Sequence, residues 1–424
     1  MLDRKFVIEN LDSVKQNCAN RGVQIDLDRV AELDERRRAC QLEVDQLNRR
    51  ANEVAKSIGK AKDRAEREAR KEQGRQLREQ TAAAQGELDR AVEELDRLLR
   101  LVPNMTHPAA PVGMQPAEVG RGRTPIPQFD FPPRDHVEIG EKLRLMDFEA
   151  AGRVTGHGFY FLKNEAVLLE LALQRYALGL LADEGFTLTA TPDLARNEIL
   201  EGIGFLPRGP ETQIYSIEGT DLSLVATAEI TLGGMLAGQV LDAEQLPIKL
   251  CGVSHCFRTE AGAHGRQTRG LFRVHQFTKV EMFAFTLPEQ SDPTLEYFRS
   301  LECRIFDGLG IPYRVIDTPS GDLGGPAYRK YDLEAWMPGR GEFGEVTSTS
   351  NCTDYQARRL GIRCRVKGEK GTRFLHTLNG TAIAVSRALV AILENYQQAD
   401  GSVVVPEILR PWVGKERIEV PMSP

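Results

Sequence analysis

Residues 257–283, FRTEAGAHGRQTRGLFRVHQFTKVEMF, gather Arg258, Arg266, Arg269 and Arg273 with Glu260 and Glu281 around a loop broken by glycines. A guanidinium fork holds phosphate or carboxylate oxygens in two parallel hydrogen bonds, which an ammonium cannot do, so this layout suits a triphosphate. On either side of the loop the residues alternate as strands do, and side chains of equal parity share a face. Arg258 and Glu260 are expected together on the outgoing strand. On the return strand Arg273, His275, Phe277, Lys279 and Glu281 are expected to point one way, and Val274, Thr278, Val280 and Met282 the other, toward a core. At a rise of ~3.4 Å per residue, Arg273 to Phe277 and Phe277 to Glu281 each span roughly 13–14 Å, room for an extended ligand the length of an aminoacyl nucleotide. Phe277 offers a face for a base, and an acid takes an ammonium or an exocyclic amine. A solvated charged hairpin is the plain alternative, and only the wider chain decides against it.

Three further stretches have chemistry of their own. LVATAEI at 224–230 reads as a short strand exposing Thr227 and Glu229. EVTSTSNC at 345–352 follows one acid with several hydroxyls, the hard oxygen ligands that Mg²⁺ accepts when substrate phosphates complete its shell. LHTLNGTAIAVSRALVAILENYQQ at 375–398 reads as a strand, a tight Asn379-Gly380 turn and an apolar helix in which Arg387 stands out. A snorkelling surface arginine would explain Arg387 as well.

The elements that must position these groups fall into three segments: a helical arm at 1–102, a connector at 103–133 and a mixed domain at 134–424. Residues 1–27 form a helical lead-in with Phe6, Ile8 and Leu11. Val30, Leu33, Arg37, Cys40, Val44, Leu47, Ala51, Val54 and Ile58 then recur at alternating spacings of three and four, with only Arg37 out of character. Leu77, Thr81, Ala84, Leu88, Ala91, Leu95 and Leu98 repeat the pattern, predicting an antiparallel coiled-coil hairpin. Val30 to Ile58 alone spans roughly 42 Å at ~1.5 Å per residue. Residues 56–78 carry nine Lys or Arg against four acids, a local basic excess that suggests contact with phosphates rather than a simple spacer. Eight of the 22 prolines crowd into 103–133, which excludes a helix there and disfavours a central strand. Residues 165–184 form an apolar-rich helix, and GFTLTATP at 185–192 a strand ended by Pro192.

The totals bound the rest. A 424-residue chain with net charge −6 can bury a sizeable core and is not a general polyanion-coating protein, so nucleic acid must meet a local basic surface. Its seven cysteines are odd in number and lack a C-x-x-C pair, which fits free thiols in a reducing compartment. Cys251, His255 and Cys256 are too sparse a set for zinc, and none is expected. No apolar h-region opens the chain and no apolar run approaches a membrane span, so a cytoplasmic protein without a membrane partner is expected.

The run FRTEAGAHGRQTRGLFRVHQF resembles motif 2 of class II aminoacyl-tRNA synthetases, and TRGLxRxHQFxKVE is similar to the seryl-tRNA synthetases. Residues 165–192 resemble motif 1 and residues 375–398 motif 3. The resemblance implies an α+β fold, an antiparallel sheet flanked by helices, with an N-terminal antiparallel coiled-coil arm. It implies a serine–tRNA ligase that makes seryl-adenylate from L-serine and ATP and esterifies tRNA(Ser), and tRNA(Sec) as well. By the same resemblance ATP meets Arg258, Thr259, Glu260, Arg273, Val274, Phe277, Glu345, Val346, Thr347, Ser348 and Arg387, with Mg²⁺ at Glu345 and Ser348. Arg258, Arg387 and Glu345 are the implied catalytic residues. Serine meets Thr227, Ala228, Glu229, Arg258, Glu281, Asn379 and Thr381. The arm would grip tRNA, motif 1 would build a homodimer, and no DNA partner is implied. Thr347 stands where the family more often has Ser, and Gly158 where it usually has Arg. A synthetase-like ligase acting on a carrier protein is the nearest rival, but such relatives lack the long arm; a non-catalytic RNA-binding scaffold would have lost site residues that are all present.

Overall fold

A computed structural model describes residues 1–205, 213–260 and 270–421. The chain divides into two compact units, Met1–Pro103 and Asn104–Pro424.

The first unit is four helices: α1 (Arg4–Glu9), α2 (Leu11–Asn20), α3 (Leu27–Ile58) and α4 (Arg64–Leu101). Each long helix starts on an aspartate: Asp26 accepts the Arg29 N–H and Asp63 the Glu66 N–H, caps that contribute about 1 kcal/mol apiece. Isolated helices are marginal in water, so the hairpin is stabilised mainly by its seam. Val30, Leu33, Val44 and Leu47 on α3, and Leu77, Ala84, Leu88, Ala91 and Leu95 on α4, are buried there. The seam ends on Leu99 rather than Leu98, and the lead-in buries Val7, Val14 and Cys18 while Phe6 stays exposed. The helices run antiparallel: Arg29 pairs with Glu94 at 3.0 Å, and Arg36, two turns up α3, with Glu87, two turns down α4. Arg37, the misfit in the heptads, is paid for by Asp34, whose carboxylate is 2% exposed and also meets Arg4 and Arg38.

The second unit is built on an eight-stranded sheet of β1 (Ala117–Arg121), β2 (Thr187–Ala190), β3 (Ile248–Phe257), β4 (Gln276–Thr286), β5 (Tyr313–Asp317), β6 (Arg329–Met337), β7 (Glu342–Thr353) and β8 (His376–Ala384). The spatial order is β1-β5-β6-β7-β8-β4-β3-β2, antiparallel throughout except for the β2–β3 pair. The Pro-rich segment belongs to this unit: β1 is an edge strand, where proline-rich flanks cost no ladder bonds, and Asn104 donates to Pro326 O and Cys352 O. After α5 (His136–Lys142), one face of the sheet carries α6 (Glu165–Asp183), α8 (Ser291–Leu309) and α10 (Val385–Asn395), whose Leu173, Phe298, Phe306 and Leu389 join Val280, Met282 and Ala284 of β4 in the main core. The opposite parity of β4 supplies Phe283 and Phe285 to a second core with α7 (Ala228–Gly234). No helix among the described residues is long and apolar enough to cross a membrane.

Two local expectations fail. LVATAEI is not a strand: β pairing ends at Leu224, and Thr227 caps α7, its hydroxyl accepting the Glu229 N–H at 3.2 Å. Thr followed by an acid is an N-terminal helix signal that the apolar alternation masked. Asn379-Gly380 is no turn either, but mid-strand, paired to Phe283-Met282 on one side and Ser350-Thr349 on the other. Gly380 is needed because a Cβ there would stand 2.7 Å from Thr349 Oγ1 and 3.1 Å from Phe298.

Candidate active site

A cleft of about 410 Å³ opens on the sheet face opposite the main core. Its walls come from the β3–β4 hairpin, from β7, β8 and the start of α10, and from the α7 N-terminus: Arg258, Phe277, Lys279 and Glu281; Glu345, Val346, Thr347 and Ser348; Asn379, Thr381 and Arg387; Thr227 and Glu229. Arg258 and Arg387, 129 positions apart in sequence, line one cavity. Arg258 lies over the Phe277 ring, Cζ to centroid 5.3 Å.

The face expected to be continuous from Arg273 to Glu281 is divided. Phe277, Lys279 and Glu281 line the cleft, whereas Glu260, Arg273 and His275 line a neighbouring cavity of about 580 Å³. Parity holds only where the strand does. Regular pairing stops at Phe257 and Gln276, and Glu260 sits at φ +48°, a left-handed conformation that turns it away from Arg258. Glu260 and Arg273 pair with each other at 3.3 Å. Thr259 spans the two positions with its N–H on Gln213 O, Val274 is buried, and Ala228 is the buried first residue of α7. Thr278 faces away from the cleft as expected, but its hydroxyl donates to Glu170 instead of joining the apolar core. Arg266 and Arg269 lie outside the described residues.

His275 fastens the hairpin. Its N–H donates to Gly158 O at 2.9 Å, its carbonyl accepts the Arg258 N–H, and Nδ1 lies 2.9 Å from Arg258 O and 2.7 Å from the Tyr215 hydroxyl. Phe159 stacks on the ring at 5.2 Å. Gly158 has φ +82°, and a Cβ there would come within 2.1 Å of His275 Cδ2. In this backbone conformation a side chain at 158 would displace His275.

At one end of the cleft, Glu229 Oε1 accepts from Gln356 Nε2 at 2.8 Å and Asn379 Nδ2 at 2.9 Å. Gln356, on α9 (Tyr355–Leu360), is fully buried and held in that orientation by the Thr377 hydroxyl on its Oε1. Glu281 Oε2 meets Lys279 Nζ at 2.6 Å and the Thr381 hydroxyl at 3.1 Å. Burial, then Glu281, push the Glu229 carboxyl up to about 7 against the opposing pull of Gln356, Lys279 and Arg258. The parity of β4 places Lys279 on the face of Phe277 and Glu281 as expected, though the pattern alone assigned it no role there. Nothing in the pattern pointed to Gln356, which acts from a separate helix.

At the other end Arg387, third residue of α10, donates Nη1 to Glu345 O at 3.0 Å and to Glu345 Oε1 at 2.9 Å, and packs on Phe272 at 5.0 Å. Burial alone would raise the Glu345 carboxyl; Arg387 and then Lys330 outweigh it and pull it below the usual range. Phe272 is set by its neighbour Leu271, whose N–H donates to His136 Nε2 at 3.1 Å. His136 therefore carries its proton on Nδ1 and gives it to Glu394, a buried acid of α10 that also accepts the Gly339 N–H. One imidazole thus ties the α10 helix to the backbone on which Arg387 rests.

No group of three or more His, Cys, Asp or Glu among the described residues could hold a metal by itself. Glu345 and Ser348 are nevertheless oxygen donors facing the cleft. That donor set fits Mg²⁺ entering with substrate phosphates, not a preformed all-protein cage.

The chain resembles known proteins over its whole length. Residues 1–106 match the family described as Seryl-tRNA synthetase N-terminal domain, and residues 214–396 the tRNA synthetase class II core domain (G, H, P, S and T). It is 61% identical over 419 residues to a serine–tRNA ligase of Rhodopirellula baltica, covering 98% of each chain, and 57% identical to that of Rubrobacter xylanophilus, covering 99% of each. Among solved structures, the seryl-tRNA synthetase of Pyrococcus horikoshii complexed with ATP superposes with a TM-score of 0.92 at 39% identity, covering 100% of both chains. The cytoplasmic serine–tRNA ligase of Naegleria fowleri in complex with AMP gives 0.85 at 33%, covering 97% of this chain and 96% of that one.

Proposed function

The chain belongs to the serine–tRNA ligase family, whose reaction is the ATP-dependent ligation of serine to tRNA, and from that premise we propose how its residues divide the work. Arg258 holds the α-phosphate of ATP and the serine carboxylate together, so that a carboxylate oxygen attacks the α-phosphorus in line and pyrophosphate leaves. A terminal ribose hydroxyl of tRNA then attacks the seryl carbonyl, AMP departs, and no enzyme nucleophile is needed. Phe277 stacks adenine, and Arg387 meets the outer phosphates. Glu345 and Ser348 would hold Mg²⁺, which when bound neutralises charge on the leaving pyrophosphate. To bind phosphate, Arg387 gives up part of its contact with Glu345. Glu229 and Thr227 take the serine ammonium, and Glu281 and Thr381 its hydroxyl, with Asn379 orienting Glu229. The observation that carries this reading is the shared cleft: two guanidinium groups line the same cavity as a hydroxyl- and carboxylate-lined pocket.

Pyrophosphate exchange across a panel of amino acids tests it. Serine should support exchange; alanine should be poorer by about 10⁴, because a site built to bind a hydroxyl leaves buried polar groups unpaired without it. Threonine, excluded only by crowding against one methyl, should be rejected less strongly. Exchange with another amino acid but not with serine would refute the pocket assignment.

The same reading makes the protein a cytoplasmic homodimer. Val167, Leu168 and Leu171 of α6 and Leu188 of the edge strand β2 are exposed apolar side chains, Leu171 at 57%, on the motif 1 elements. Such a patch suits burial against a second copy. Light scattering should give a dimer mass that falls to a monomer in Leu171→Asp; a wild-type monomer would refute the assignment.

A further inference from the structure

The amino-acid end of the cleft poses an electrostatic problem that the family assignment leaves open. Glu229 and Glu281 face the same small pocket, and two neighbouring carboxylates do not both stay ionised unless a cation lies close by. Lys279 is that cation. Its side chain is 7% exposed, its Nζ lies 2.6 Å from Glu281 Oε2, and that carboxylate is 2% exposed. The groups facing Glu229 are Gln356 from α9, Asn379 from β8, Lys279 and Glu281 from β4, and Arg258 beyond β3.

We propose that Lys279 is the charge-balancing residue of the amino-acid pocket: by neutralising Glu281 it lets Glu229 stand as an anion beside it, so that the pocket accepts a zwitterion. The inference rests on the pocket assignment above. At neutral charge balance, two acids face one lysine and one arginine, and an amino acid adds its own ammonium and carboxylate without leaving a charge unpaired. Gln356 and Asn379 saturate one oxygen of Glu229, leaving the other for the substrate ammonium. Lys279 acts through the two acids and need not touch the substrate. Its removal leaves Glu281 uncompensated, and Glu229 then holds its proton to higher pH, when it can no longer pair with an ammonium as an anion.

The test is KM for serine and for ATP, read by pyrophosphate exchange between pH 6 and 9, in the wild type, Lys279→Met and Lys279→Arg. In the wild type KM for serine should fall as pH rises through about 7, where Glu229 ionises. In Lys279→Met that limb should move up by a pH unit or more, making KM for serine about tenfold higher near neutrality, one pH unit being a factor of ten in the ionised fraction. KM for ATP should change less than about twofold, and Lys279→Arg should restore the limb. A limb that stays in place in Lys279→Met overturns the inference, and so does a parallel rise of both KM values. Absence of serine-dependent exchange in the wild type would instead refute the pocket assignment itself.

Discussion

Arg258→Ala should lower serine-dependent pyrophosphate exchange by about 10²–10³, the usual cost of removing one preorganised group that stabilises charge developing in a transition state. Arg258 stands at the junction of the two ends of the cleft, beside Phe277 and within electrostatic range of Glu229 and Glu345. Among the described residues it is therefore the cation we assign to both reacting groups. Arg258→Lys should recover little, because an ammonium cannot bridge two oxyanions with parallel hydrogen bonds. Folding should survive: the β3–β4 pairing is backbone, and the Arg258 N–H and carbonyl bonds to His275 do not use the side chain. A variant with unchanged exchange and unchanged melting would remove Arg258 from the chemistry.

The second large effect is expected at the far end of the arm. Lys56, Lys60, Lys62, Arg64, Arg67 and Arg78 are exposed and make no ion pair among the described residues, unlike Arg70, Lys71 and Arg75, which pair with Glu66, Glu68 and Glu72. Arg64 and Arg67 also sit in the first turn of α4, where cations oppose the helix dipole and lower rather than raise helix stability. A polyanionic partner, as proposed for the arm, would offset that cost. Replacing Lys60, Lys62, Arg64 and Arg67 together by glutamine should cut kcat/KM for tRNA by about 10² or more near physiological salt, and should flatten the salt dependence of binding by ~0.7–0.9 per lost phosphate contact. Serine-dependent pyrophosphate exchange should be untouched. Equal loss in both reactions, or in neither, would count against an RNA-binding arm.

What could be read from the sequence follows from where local pattern and tertiary environment agree. The arm was legible because a heptad seam is a local property, and its single misfit, Arg37, is absorbed by Asp34 three residues earlier. The parity of β4 was legible from Phe277 onward because the strand is continuous to Thr286. It misled across 258–275, where strand geometry gives way to the left-handed Glu260, and so Glu260 and Arg273 line the neighbouring cavity instead of sharing the cleft with Arg258 and Phe277. Asn379-Gly380 looked like a turn because its local chemistry favours one; pairing on both sides in the sheet interior overrides that preference. Thr227 was taken for a strand residue when its capping role was the stronger signal. Gln356 and His136 were invisible for a different reason. Each acts by holding another group, Glu229 in one case and the Leu271 backbone in the other, and such partnerships depend on contacts more than a hundred residues apart.

The central claim is that Arg258, Phe277 and the pocket around Glu229 and Glu281 serve one ligand. Its most direct test is a crystal structure with a non-hydrolysable seryl-adenylate analogue bearing a sulfamoyl bridge. The bridge should lie at hydrogen-bond distance, ~2.7–3.2 Å, from the Arg258 guanidinium, with adenine on Phe277 and the seryl ammonium at the oxygen of Glu229 not used by Gln356 and Asn379. An analogue seated in the cavity beside His275, or bound with its seryl group turned away from Glu229 and Glu281, would contradict the assignment.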